Sequence, residues 1–149
     1  MDEIHTGVYV ALLPTESLWC KQPFPHTTII SAGDTSELRA SVFNTLAKSV
    51  ASIAMVTNPI SLKVLGIEVF GEEEKVDVLR LDISPELLAV RSFLENWDTG
   101  EFPVFKPHAT IGPVGSAMFP SESMPLFLTF DRIVVCWGEQ KIAFWLKKW

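Results

Sequence analysis

The chain has 149 residues, 48% of them apolar and 20% charged, with a formal net charge of -6. This is the composition of a globular domain able to bury a sizeable core, and it excludes an intrinsically disordered chain. The acidic balance, with a pI near 5.0, argues against a protein that coats long nucleic acid, which needs many Lys and Arg contacts to phosphates. A small phosphorylated ligand needs only a few local donors.

The opening MDEIHTG has no basic segment followed by an apolar run, so no signal peptide is expected. No apolar stretch approaches the length of a membrane span. Cys20 and Cys136 lack CxxC spacing and read as free thiols of an intracellular protein, with a structural disulfide as the alternative. These features together predict a cytoplasmic domain with no membrane partner.

GVYVALLP, from Gly7 to Pro14, is rich in β-branched residues and predicts a buried strand. A loop follows to Pro25, and HTTIIS from His26 predicts a second strand broken by Gly33. Asp34 with Glu37 three residues on is a capping signature for a helix whose buried face carries Leu38, Val42, Leu46, Val50 and Ile53. The helix should end before Asn58-Pro59.

Ile60 to Phe70 and Val76 to Asp82 alternate as a hairpin, with Glu72, Glu73 and Glu74 as a solvated tip. Ser84 and Pro85 open a second helix that buries Leu87, Val90, Leu94 and Trp97 and closes at Gly100. PHATIG predicts a strand from His108, and the apolar tail from Leu126 predicts two more strands joined around Gly138 to Lys141 and buried in the sheet. The order describes one α+β domain over residues 1–149. Its two halves share a plan, which suggests an internal duplication.

Two of the three histidines lie in the same context: Pro25-His26-Thr27-Thr28-Ile29 and Pro107-His108-Ala109-Thr110-Ile111. Residues i and i+2 of a strand share a face, so each motif presents an imidazole and a hydroxyl together. If the strands converge, two rings and two hydroxyls surround a volume suited to a phosphodiester. Histidine titrates near neutrality, so one ring can take a proton from a nucleophile while the other gives one to the leaving oxygen. Thr28 and Thr110 would bind non-bridging oxygens. This chemistry calls for no metal and no cofactor, and neither HxxxH nor paired-cysteine spacing is present.

The paired His-x-Thr-apolar motifs resemble those of the two-histidine (2H) phosphoesterase superfamily, which includes 2′-5′ RNA ligase-like proteins and cyclic phosphodiesterases. The resemblance covers nearly the whole chain. It implies a bilobal α+β fold: two pseudo-symmetric antiparallel lobes, helices outside, and an active site in the groove between them. It also implies cleavage of a small 2′,3′-cyclic, 2′-5′-linked or cyclic nucleotide phosphodiester, with His26 and His108 catalytic and Thr28 and Thr110 phosphate-binding. HTGVYVALLP and the compact size are similar to small bacteriophage members, some of which degrade cyclic oligonucleotide immune signals. A protein that only sequesters such a signal, using the same groove, is the alternative.

Around the motifs, Tyr9 is a candidate for stacking on a base, Phe24 and Phe105 for groove walls, and Lys106 for attracting phosphate; packing or solvation is the competing role of each. His5 lacks Thr at +2 and is read as non-functional. Trp145 and Trp149 read as packing or edge residues. The partner expected is a small nucleotide, met by a monomer.

Overall fold

The computed structural model describes residues 6–15, 22, 24–100, 104–116 and 124–147. It contains strands β1 (Gly7–Pro14), β2 (Thr27–Asp34), β3 (Ile60–Phe70), β4 (Val76–Leu81), β5 (His108–Pro113), β6 (Phe127–Trp137) and β7 (Gln140–Trp145). Helix α1 (Ala40–Val56) follows β2, and α2 (Pro85–Leu94) follows β4 and runs into a 3₁₀ turn, Glu95–Trp97. The expected order of strands and helices is the observed one.

All pairings are antiparallel and join seven strands in the order β2-β1-β6-β3-β4-β5, with β7 also on β6. Two long strands change partners along their length. The first residues of β6 pair with β3 and its last six with β7. In β3, Ile60 to Lys63 pair with β6, and Val64 to Phe70 pair with β4. The change of partner coincides with a register shift that ends at Gly66, whose φ of +151° is open to glycine and strained for other residues. The sheet is thereby divided into two lobes, β2-β1-β6-β7 and β3-β4-β5. The outermost strands, β2 and β5, come back into contact with each other.

One core serves both lobes. Val8, Val10 and Leu12 of β1 bury the same cluster as Leu79 and Leu81 of β4, Ile133 and Val135 of β6, and the apolar faces of both helices. The other face of β1 and β6 carries a smaller cluster, Ala11, Leu13, Val134 and Cys136, against which Tyr9 and Phe24 pack. The helices lie on the first face.

Several local expectations fail for identifiable reasons. Gly33 does not break its strand, which runs on to Asp34. Asp34 does not cap a helix: its carboxylate accepts from the Ser36 N–H and hydroxyl and from Thr6, closing a turn. Helix α1 starts later, with Arg39 at its N-cap and no side-chain cap, and buries Phe43, Leu46, Val50 and Ala54. Leu38 precedes the helix and Ile53 is only partly buried against the core.

In α2, Ser84 does cap, accepting from the Leu87 N–H at 3.1 Å, an interaction worth about 1 kcal/mol. The helix ends at Leu94 instead of Gly100 because the chain tightens into the 3₁₀ turn. The tail divides: β6 is central and buried, whereas β7 is an edge strand with mostly exposed side chains. Glu72, Glu73 and Glu74 form the expected exposed tip. His5, Cys20 and Trp149 lie outside the described residues.

Candidate active site

His26 stands one residue before β2, and His108 is the first residue of β5. Each imidazole is tied down in the same way. His26 Nδ1 donates to the carbonyl of Phe24, and His108 Nδ1 donates to the carbonyl of Lys106, both at 2.8 Å and both two residues upstream. A carbonyl can only accept, so the proton sits on Nδ1 and leaves Nε2 as the nitrogen that gains or loses a proton. Counted from the histidines, the match for Phe24 is therefore Lys106, and Phe105 stands one residue further back.

The threonines follow the same rule. Thr28 pairs with Ala11 of β1, and Thr110 pairs with Val78 of β4, two residues before Arg80, the partner of His108. Both strands then shift register at the next residue, between Val10 and Ala11 of β1 and between Asp77 and Val78 of β4. Each motif is thus a His-x-Thr unit ending in a bulge. The middle residue points into the core: Thr27 and Ala109 are fully buried, and the Thr27 hydroxyl finds no hydrogen-bond partner among the described residues.

The two motifs are brought together. Burial pushes the pKa of both imidazoles down from the ordinary 6.5, and His26 is lowered further by the charge of His108. A cavity of about 440 Å³ is lined by Thr28 and Ser31 of β2 together with His108, Lys106, Phe105 and Phe70. Gln22, in the loop leading to His26, donates to the carbonyl of Ile111 in β5 at 3.3 Å. The Thr99 N–H donates to Ser31 at the open edge of β2, fixing the far wall of the cavity.

Tyr9 lies beside His26, with ring centroids 5.4 Å apart, and Phe24 stacks on it at 4.9 Å. Tyr9 is the backbone partner of Cys136 across β1 and β6, and burial pushes the pKa of both groups up, which keeps them protonated. Cys136 is a free, buried thiol, as expected. Phe105 lines the cavity, is partly buried against the core, and carries the Arg91 guanidinium 4.4 Å above its ring. Lys106 is exposed at the cavity edge and contributes its carbonyl. Trp145 is an exposed edge residue under the Arg132 guanidinium.

Three residues of the site were not singled out in the sequence. Phe70 contacts His108, with centroids 4.6 Å apart. Arg80 lies opposite His108, bonded to Glu68 at 2.8 Å and to the Pro107 carbonyl, and its charge helps lower the His108 pKa. Glu68 is half exposed, so the Arg80 pair adds only roughly 0.2–1 kcal/mol to stability; its effect is to fix the guanidinium in place. Lys141 of β7 sits over Phe24 and depresses the His26 pKa. These positions become visible only once register is known. Among the described residues, no three His, Cys, Asp or Glu side chains cluster as a metal site.

The architecture is that of the 2H phosphoesterases, so the resemblance carried by the paired motifs holds at the level of the fold. Among solved structures, the chain is similar to TT0787 of Thermus thermophilus, with 14% identity, 95% of each chain covered and a TM-score of 0.62. It is similar to Usb1 of Kluyveromyces marxianus, with 11% identity over 97% of this chain and 99% of that one, TM-score 0.62. LigT of E. coli, solved with 3′-AMP, matches at 14% identity over 99% and 98%, TM-score 0.58. No family model matches the sequence, and no curated protein matches it. No helix among the described residues is long and apolar enough to cross a membrane.

Proposed function

We propose that the protein is a metal-independent phosphodiesterase acting on a small nucleotide, with His26 and His108 as its acid–base pair and Thr28 and Thr110 as phosphate ligands. One neutral imidazole takes the proton from water or a ribose hydroxyl as the new P–O bond forms. The other, as imidazolium, gives a proton to the leaving oxygen as the old P–O bond breaks. The rings exchange roles when the reaction runs in the other direction. Both threonine hydroxyls stabilise the charge that gathers on the non-bridging oxygens.

The observation that carries this reading is that Thr28 of the first motif and His108 of the second line one cavity, while each imidazole is held in the same tautomer by the same backbone contact. The cavity volume lies within the roughly 300–1,000 Å³ of small-ligand sites and suits a nucleoside. Solved structures with this fold contain 3′-AMP in LigT and uridine monophosphate in Usb1, which supports a nucleotide ligand here. The reading is of a cytoplasmic monomer. Its likeness to small bacteriophage proteins adds cyclic oligonucleotide immune signals to the candidate substrates.

The test is a panel of 2′,3′-cyclic mononucleotides, 2′-5′ oligoadenylates and cyclic di- and trinucleotides, incubated with EDTA and resolved by chromatography. Cleavage of at least one substrate in EDTA is expected. Tight binding with every nucleotide recovered intact would replace the enzyme by a signal-sequestering protein, and activity abolished by EDTA would refute metal independence.

A further inference from the structure

Lys141 pairs with Cys136 across β6 and β7, and Cys136 pairs with Tyr9 across β6 and β1. The three side chains therefore leave the sheet on one face. The Lys141 ammonium stands 4.8 Å from the centre of the Phe24 ring, and that ring stacks on His26. The result is a half-buried aromatic surface, next to one of the two imidazoles, with a cation over its Phe24 ring.

The fold makes little other use of this lysine. Its side chain is exposed on an edge strand, and it takes part in none of the ion pairs between described residues. Arg80, beside the other histidine, is already bonded to Glu68 and Pro107. The cavity against His108 includes neither Phe24 nor Lys141. Two different surfaces thus flank the histidines: a half-open, largely apolar cavity that reaches from His108 to Thr28, and an aromatic and cationic surface beside His26. A cyclic mononucleotide has one base and one phosphate and can fill only one of them. Aromatic rings take bases by stacking and ammonium groups take phosphates, a pairing typical of sites that follow a single strand.

We propose that Phe24 and Lys141 form a second nucleotide subsite, which selects substrates carrying a further base and phosphate beyond the scissile bond on the His26 side. The preferred substrate is then an oligonucleotide, linear or cyclic, and not a cyclic mononucleotide. This rests on the histidine groove being a phosphodiester site.

The test measures binding without turnover. 2′-Deoxy dinucleotides, which lack the neighbouring hydroxyl nucleophile, are titrated by calorimetry with and without a terminal phosphate at either end, against the unmodified protein, Lys141→Met and Phe24→Leu. A terminal phosphate at one end should tighten binding to the unmodified protein by about tenfold, as expected for a charge-assisted contact. The gain should shrink with added salt and fall below about twofold in Lys141→Met. Phe24→Leu should weaken the dinucleotide more than a mononucleotide. An undiminished gain in Lys141→Met, or no gain at either end, overturns the subsite. Unmodified protein that binds these ligands as expected but cleaves nothing in the EDTA panel would remove the catalytic reading and leave the subsite standing.

Discussion

At the scale of single residues, the controlling feature is the pair of imidazoles whose Nδ1 atoms are committed to backbone carbonyls. Desolvation is the main cause lowering both pKa values from 6.5, with His108 and Lys141 acting on His26, and Arg80 on His108. A bell-shaped kcat/KM profile peaks between the pKa of the base, which must be neutral, and that of the acid, which must be charged. With both displaced downward in the free protein, the kcat/KM optimum should fall on the acid side of pH 6.5. A bound phosphate anion favours imidazolium, so the kcat optimum should lie higher than that of kcat/KM. Steady-state rates across the acid-to-neutral range decide this, and a kcat/KM optimum above pH 6.5 would contradict it. The motifs were legible in the sequence because a two-residue spacing on a strand has one geometric meaning. Arg80, Phe70 and Lys141 were not, because nothing near them in the chain records which residue they will face.

At the scale of elements, both motif strands combine a His-x-Thr unit with a register shift one residue later. The two motif strands therefore share one local geometry as well as one sequence pattern. The strands were readable from β-branched content and alternation, and α2 from its Ser-Pro start. The start of α1 was misread because the Asp34 signature is local, whereas Thr6, across the β1–β2 pair, captures the same carboxylate. On the second motif, Gly112 follows the bulge with φ +154°, and a Cβ there would stand 2.7 Å from Ser116 Oγ and 3.3 Å from Gln22 Nε2. Gly112→Ala should therefore cost about 1–3 kcal/mol and disturb the Gln22 bond that ties the loop before His26 to β5. Chemical denaturation would measure the cost; a variant as stable as the parent would mean that the backbone there is under no constraint.

At the scale of the molecule, β2 and β5 sit at opposite ends of the strand order yet touch, and β3, by passing from β6 to β4 between Lys63 and Val64, joins the two lobes. That closure was the least legible part of the structure, since it depends on long-range pairing that no local pattern encodes. It brings Thr28 of one motif and His108 of the other to the same cavity. If the histidines act together on one phosphate, removing one should cost nearly as much as removing both. The most direct measurement is kcat for His26→Ala, His108→Ala and the double variant on whichever substrate of the panel is cleaved. Each single change should lower kcat by about 10²–10⁴-fold, with the double variant close to the worse single one. Near-normal turnover in either single variant, or losses that multiply independently, would contradict a shared acid–base pair.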